Sequence, residues 1–130
     1  MKIKKISYLY LFVWIAGLTY ASVTPPGNIP NLFNFENLDK IVHFIMYFGL
    51  TILLIPVLFK KNQFRKVYFF SLMIASLTGI LMEYFQFTLT ELRHGSVLDA
   101  LANFVGSLSG IAFFHLVIRK TRLVFFFFKT

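Results

Sequence analysis

Residues 79–110 read GILMEYFQFTLTELRHGSVLDALANFVGSLSG, and this stretch decides the fold. Glu83, Gln86, Arg93, Ser96, Asp99 and Asn103 stand there in a run otherwise dominated by Leu, Ile, Val, Ala and Phe. Gly79, Glu83, Gln86 and Thr90 step by four, three and four; Ser96, Asp99, Asn103, Gly106 and Gly110 step by three, four, three and four. Each set is one face of an α-helix. A short polar turn around Arg93, His94 and Gly95 joins them, so the two faces are expected to look at each other. A carboxylate at the centre of a bilayer costs about 2.5 to 3.5 kcal/mol on insertion scales, so Glu83 and Asp99 need partners, water or protons.

The surroundings of this stretch are those of a membrane protein. The chain is 58% hydrophobic and 14% charged, with 18 Phe among 130 residues, whereas soluble domains run at about 45 to 50% apolar and 25% charged. Its length suits one domain, residues 1–130. The net charge of +8 does not indicate nucleic acid, because the basic residues flank apolar runs and the aromatics lie inside them. Cysteine is absent, which excludes disulfides, thiolate metal sites and a cysteine nucleophile.

The expected architecture is an all-α membrane bundle with four spans, at about 6–23, 41–59, 67–89 and 97–118. The first run follows a basic head, Lys2, Lys4 and Lys5, and is too long and too bulky at Trp14 and Tyr20 for a signal peptide, so it is expected to be retained. Pro25, Pro26, Gly27 and Pro30 make an extended loop after it. Asp39 is expected to cap the second helix, whose last turn holds Pro56, a candidate kink. Lys60, Lys61, Arg65 and Lys66 are read as a basic loop before the third helix, and Phe125 to Phe128 as an interfacial tail. The head, the second loop and the tail hold three, four and four Lys or Arg, eleven of the thirteen in the chain. The positive-inside rule then places both termini in the cytoplasm.

At about 1.5 Å of rise per residue, that orientation sets depths. His43, Gln86 and Asp99 fall about 5 Å below the outer surface, and Tyr47, Glu83 and Asn103 about 10 Å below it. Asp39, His43 and Tyr47 share one face of the second helix. Three helices thus bring polar groups to matching depths, as one cluster open to the outer leaflet.

The residues that form the cluster also carry a family resemblance. SVTPP at 22–26, DKIVHFIMY at 39–47, EYFQ at 83–86 and RHGSVLDALANFVG at 93–106 together resemble the VanZ-like family, named for a membrane protein associated with resistance to the glycopeptide teicoplanin. The resemblance implies a small polytopic protein of the bacterial cell envelope, located in the cell membrane, and brings no reaction with it.

Three uses are open for the cluster. Its members can simply hold helices together through hydrogen bonds. They can bind the head group of a membrane lipid, a lipid-linked envelope molecule or a glycopeptide antibiotic without chemistry; the candidate residues are Asp39, Lys40, His43, Tyr47, Glu83, Gln86, Arg93, Ser96, Asp99 and Asn103, with the Arg93 fork suited to phosphate or carboxylate. Or His43, Glu83 and Asp99 can act as acid and base groups of an enzyme modifying a lipid-linked envelope component. Binding that affects teicoplanin susceptibility is the leading expectation, and the enzyme its alternative. No cofactor and no metal are expected: His43, Glu83 and Asp99 could ligate zinc, but no HExxH or close histidine pair is present. A transporter is disfavoured, because the inner halves of the helices have few polar groups. Gly106 and Gly110 form a GxxxG suited to close helix packing within the chain. His115 has no evident role, and the oligomeric state is not readable.

Overall fold

The computed structural model describes residues 2–24, 38–59, 63–89 and 96–129. They form four α-helices, α1 (Ile6–Val23), α2 (Leu38–Val57), α3 (Phe64–Leu89) and α4 (Val97–Leu116). All four are long and apolar enough to cross a membrane, and the large apolar residues on their outer faces, such as Phe12, Ile45, Phe69, Ile80, Leu101 and Phe104, are exposed. Water would not tolerate so much exposed apolar surface, but lipid does. This is a multi-pass membrane protein.

Helix α2 is the centre of the bundle. It packs on α1, α3 and α4, most extensively on α4, while α1 and α4 both also touch α3. Its buried residues, His43, Tyr47, Leu50, Thr51, Leu54 and Ile55, recur every three or four positions, so one continuous face is polar at its first two turns and apolar beyond. The facing side of α4 is made of Asp99, Asn103, Gly106, Ser107, Gly110 and Phe114. A Cβ on Gly110 would stand 2.7 Å from the Phe48 carbonyl oxygen, and one on Gly106 would overlap that of Phe44. The expected GxxxG contact therefore lies inside the chain, between α2 and α4. Helix α1 joins through Trp14, whose Nε1 donates to the Met46 carbonyl at 2.9 Å and whose ring fills the space left by Gly49.

At the end of the bundle that holds the chain termini, Ile55, Val67, Phe114, Ile118 and Phe128 form an apolar cluster. The tail expected to lie in the interface keeps Phe125 and Phe126 exposed but turns Phe128 inward. It winds through two 3-10 turns, Ile118–Lys120 and Arg122–Phe126, and Phe128 is only 2% exposed, edge-on to Phe59 with ring centroids 4.9 Å apart. Lys2–Ile3 (β1) then pairs antiparallel with Phe128–Lys129 (β2), Lys4 N–H donates to the Phe127 carbonyl at 2.8 Å, and so does the Ser7 hydroxyl at 3.2 Å. This clasp holds both ends of the described chain on one side of the bundle. Composition marks a run of Phe as apolar, but only the gap beneath Phe59 decides which ring enters the protein.

Four boundaries also differ from expectation, the first being the end of α2 at Val57 rather than 59. Asp39 is not the cap of α2 but lies inside its first turn, where the helix dipole still favours a carboxylate. Arg65 and Lys66 belong to α3, which starts at Phe64; their long stems let a helical residue carry its charge out to water. Helix α4 ends at Leu116, before the 3-10 turns, rather than at 118.

Candidate functional site

At the opposite end of the bundle from the clasp, the first turns of α2 and α4 and the last turns of α3 converge. Helix α4 opens there with Ser96 in extended backbone conformation, its hydroxyl accepting from Leu98 N–H at 3.2 Å. Its own N–H donates to Glu83 Oε2 at 3.2 Å. One carboxylate oxygen of α3 thus takes up an orphan donor at the entry to α4, and the two polar faces of residues 79–110 do meet.

His43 is the hub. Its Nδ1 stands 3.1 Å from Asn103 Oδ1 and 3.6 Å from Glu83 Oε1, so α2 touches both α4 and α3 through one ring atom. On the other side, Nε2 lies 3.8 Å from Asp39 Oδ1, one helical turn back. Both acceptors facing Nδ1 call for a proton on that nitrogen. Lys40 reaches across the mouth to Asp99, with Nζ 3.8 Å from Oδ1. Asp99 is 5% exposed, and its Oδ1 has no hydrogen-bond partner. Among the described residues the cluster sets three carboxylates, Asp39, Glu83 and Asp99, against one ammonium and one imidazole. Such a cluster attracts positive charge more readily than negative.

The two expected depth layers merge into this one network, because His43 bonds to Asn103 rather than to its own layer and Glu83 reaches Ser96 at the very start of α4. Counting rise along an axis places Cα atoms, whereas a Glu or His side chain carries its polar atoms several ångströms away. Tyr47 and Gln86 are buried beside the cluster. Tyr47 packs with Leu18, Leu50, Leu54 and Ala75, and its hydroxyl makes no hydrogen bond. Gly79 leaves room for both Tyr47 and Asn103: a Cβ there would stand 3.4 Å from the Tyr47 ring and 3.3 Å from Asn103 Nδ2. Arg93 lies outside the described residues.

Beside the cluster, between α2 and α4, an open apolar groove of about 440 Å³ is lined by Lys40, Ile41, Phe44, Leu98, Leu101, Ala102 and Val105. Only Lys40 belongs to both features. No residue type distinguishes a groove-lining Leu from a lipid-facing one, so the groove carries no signal in the sequence. At the far end of the bundle, the Tyr68 hydroxyl lies 3.1 Å from His115 Nδ1, tying α3 to α4; that structural pairing also had no sequence signal.

Neither the curated proteins nor the solved structures contain a match to this chain. A family model does match, and its span of residues 3–119 takes in all four helices and every residue of the cluster: the chain belongs to the VanZ/LLP1 family.

Proposed function

We propose that this protein binds an amphiphile of the bacterial cell envelope at the outer leaflet of the cell membrane, either a lipid-linked envelope precursor or a lipophilic glycopeptide, and so affects susceptibility to teicoplanin. The observation that carries this reading is the shared position of Lys40, at once a member of the polar cluster and the lip of the apolar groove. A polar end held at Lys40 leaves its chain to run along Ile41, Phe44, Leu98, Leu101 and Val105, over about 10 Å from Leu98 to Val105 at 1.5 Å per residue. The groove volume is in the range of ligand pockets, about 300 to 1,000 Å³. The outer-leaflet placement is supported by the basic residues of the head, the start of α3 and the tail, which among the described residues lie at or near the opposite end of the four-helix arrangement.

The test is expression in a teicoplanin-sensitive Gram-positive host, with Ala102→Trp to fill the groove while leaving the polar cluster intact. Wild type should shift the inhibitory concentration and Ala102→Trp should not. No shift with well-expressed wild type would refute the link to teicoplanin, and an equal shift with both would refute the groove.

A second reading, an enzyme acting on a lipid-linked component, is favoured by the arrangement of His43. A ring nitrogen steadied by Asn103 and Glu83 leaves the other nitrogen beside Asp39 for acid and base work. It requires an envelope lipid or glycan whose mass changes with wild type and is restored by Asp99→Asn.

A further inference from the structure

We propose that Asp39, His43 and Asp99 form a binding site for one divalent transition-metal ion, zinc by its ligand set, at the mouth of the bundle. This site is independent of whether the groove takes an amphiphile.

One carboxylate oxygen each from Asp39 and Asp99 and one ring nitrogen of His43 all lie within 4.8 Å of one another. Around tetrahedral zinc, with bonds of about 2.0 to 2.1 Å, ligand atoms stand about 3.3 Å apart. The His43 Nε2 to Asp39 Oδ1 distance is already 3.8 Å, within about 0.5 Å of that spacing.

The histidine is set for a metal. Asn103 Oδ1 and Glu83 Oε1 both face Nδ1, so the tautomer that carries its proton there leaves Nε2 with a lone pair on the Asp39 side for a metal. A metal-binding imidazole is oriented in this way by outer partners that accept from its other nitrogen. Asp99 supplies the third ligand: its Oδ1 is buried and makes no hydrogen bond. Lone pairs that converge need a positive charge among them. Lys40 Nζ stands off at 3.8 Å, beyond hydrogen-bond length, and with 31% of its side chain exposed it can swing aside. One imidazole with two carboxylates suits zinc better than magnesium or calcium, which favour all-oxygen shells. Asp39 and His43 are four apart on α2, and the third ligand comes from α4, which is why a search for paired histidines does not reveal the site.

The experiment uses the full chain in detergent, with any affinity tag removed, stripped by a chelator and titrated calorimetrically with Zn²⁺ alone. One zinc per chain is expected. Asp39→Asn, at an exposed position that leaves the fold intact, should weaken binding by more than about tenfold, and Asp99→Asn should abolish it. Lys40→Met should bind as tightly as wild type or more tightly, since it removes the competing ammonium. His115→Ala, at the other end of the bundle, should bind as wild type does. Absence of saturable zinc binding in both wild type and Lys40→Met would overturn the proposal, as would full-strength binding by Asp39→Asn or loss of binding in His115→Ala. Should Asp99→Asn fail to fold, Asp39→Asn decides alone.

Discussion

Replacing Gly106 by Ala tests the contact on which the cluster depends, and the same substitution at Gly17 supplies its control. Both glycines lie within helices. At Gly17 an added Cβ meets nothing within 4 Å, so Ala should stabilise α1 by about 0.5 to 1 kcal/mol through helix propensity. At Gly106 the same atom would stand 3.1 Å from the Phe44 carbonyl carbon and Cα, and would overlap the carbonyl oxygen. Backbone cannot rotate away as a side chain can. Restoring an ordinary carbon to oxygen separation of about 3.3 to 3.6 Å requires α2 and α4 to part by roughly 1 Å. A gap of that size forfeits a quarter to a half of each dispersion contact worth about 0.1 to 0.2 kcal/mol, so on the order of twenty contacts lose about 0.5 to 2 kcal/mol. It also stretches the 3.1 Å bond between His43 and Asn103, a further loss of about 0.5 to 1.5 kcal/mol. After the propensity gain, Gly106→Ala should be net destabilising by up to about 3 kcal/mol, in keeping with other overpacked sites. The assay is the fraction of protein remaining monodisperse on gel filtration after heating in detergent, for wild type, Gly17→Ala and Gly106→Ala together. Thermal stability of Gly106→Ala equal to that of Gly17→Ala would show that α2 and α4 are not in backbone contact there, and the packing argument would fail.

Further outcomes follow from other parts of the molecule. The protein has no cysteine, so Thr24→Cys, at the end of α1, should react in intact cells with an impermeant thiol reagent, whereas Gln63→Cys, just before α3, should react only after lysis; the reverse pattern would invert the membrane orientation. Asp99→Asn keeps size while removing a buried carboxylate, one of whose oxygens lacks a hydrogen bond; its stability should change by less than about 1 kcal/mol while any effect on teicoplanin susceptibility disappears, and retained susceptibility effects would make Asp99 scaffold rather than site. Phe128→Ala should cost about 3 kcal/mol of stability by emptying the place beside Phe59, Ile118 and Phe114. A stable Phe128→Ala protein would show that the tail lies on the surface, as an interfacial segment would.

Much of this architecture was legible from residue type and spacing. Runs of apolar residues long enough for a bilayer set the four spans, because a helix in lipid must satisfy its own backbone and can display almost nothing polar outward. For the same reason Glu83, Asp99 and Asn103 had to face inward, and a three-and-four spacing gave their faces. Gly106 and Gly110 carried their packing role in their size, since only a missing side chain lets two helix backbones touch. What the tertiary structure alone decided are matters of distance between elements remote in sequence. His43 chooses Asn103 and Glu83 over its own depth layer, Asp39 and Asp99 come within reach of the same ring, and Lys40 joins the cluster to a groove whose walls are ordinary Ile, Phe, Leu and Val. The same holds for the clasp, where Phe128 is buried while Phe125 and Phe126 are exposed. Hydrophobicity is a property of one side chain and can be read in sequence order, but a site is a coincidence of several side chains, and their separation is set by how helices pack.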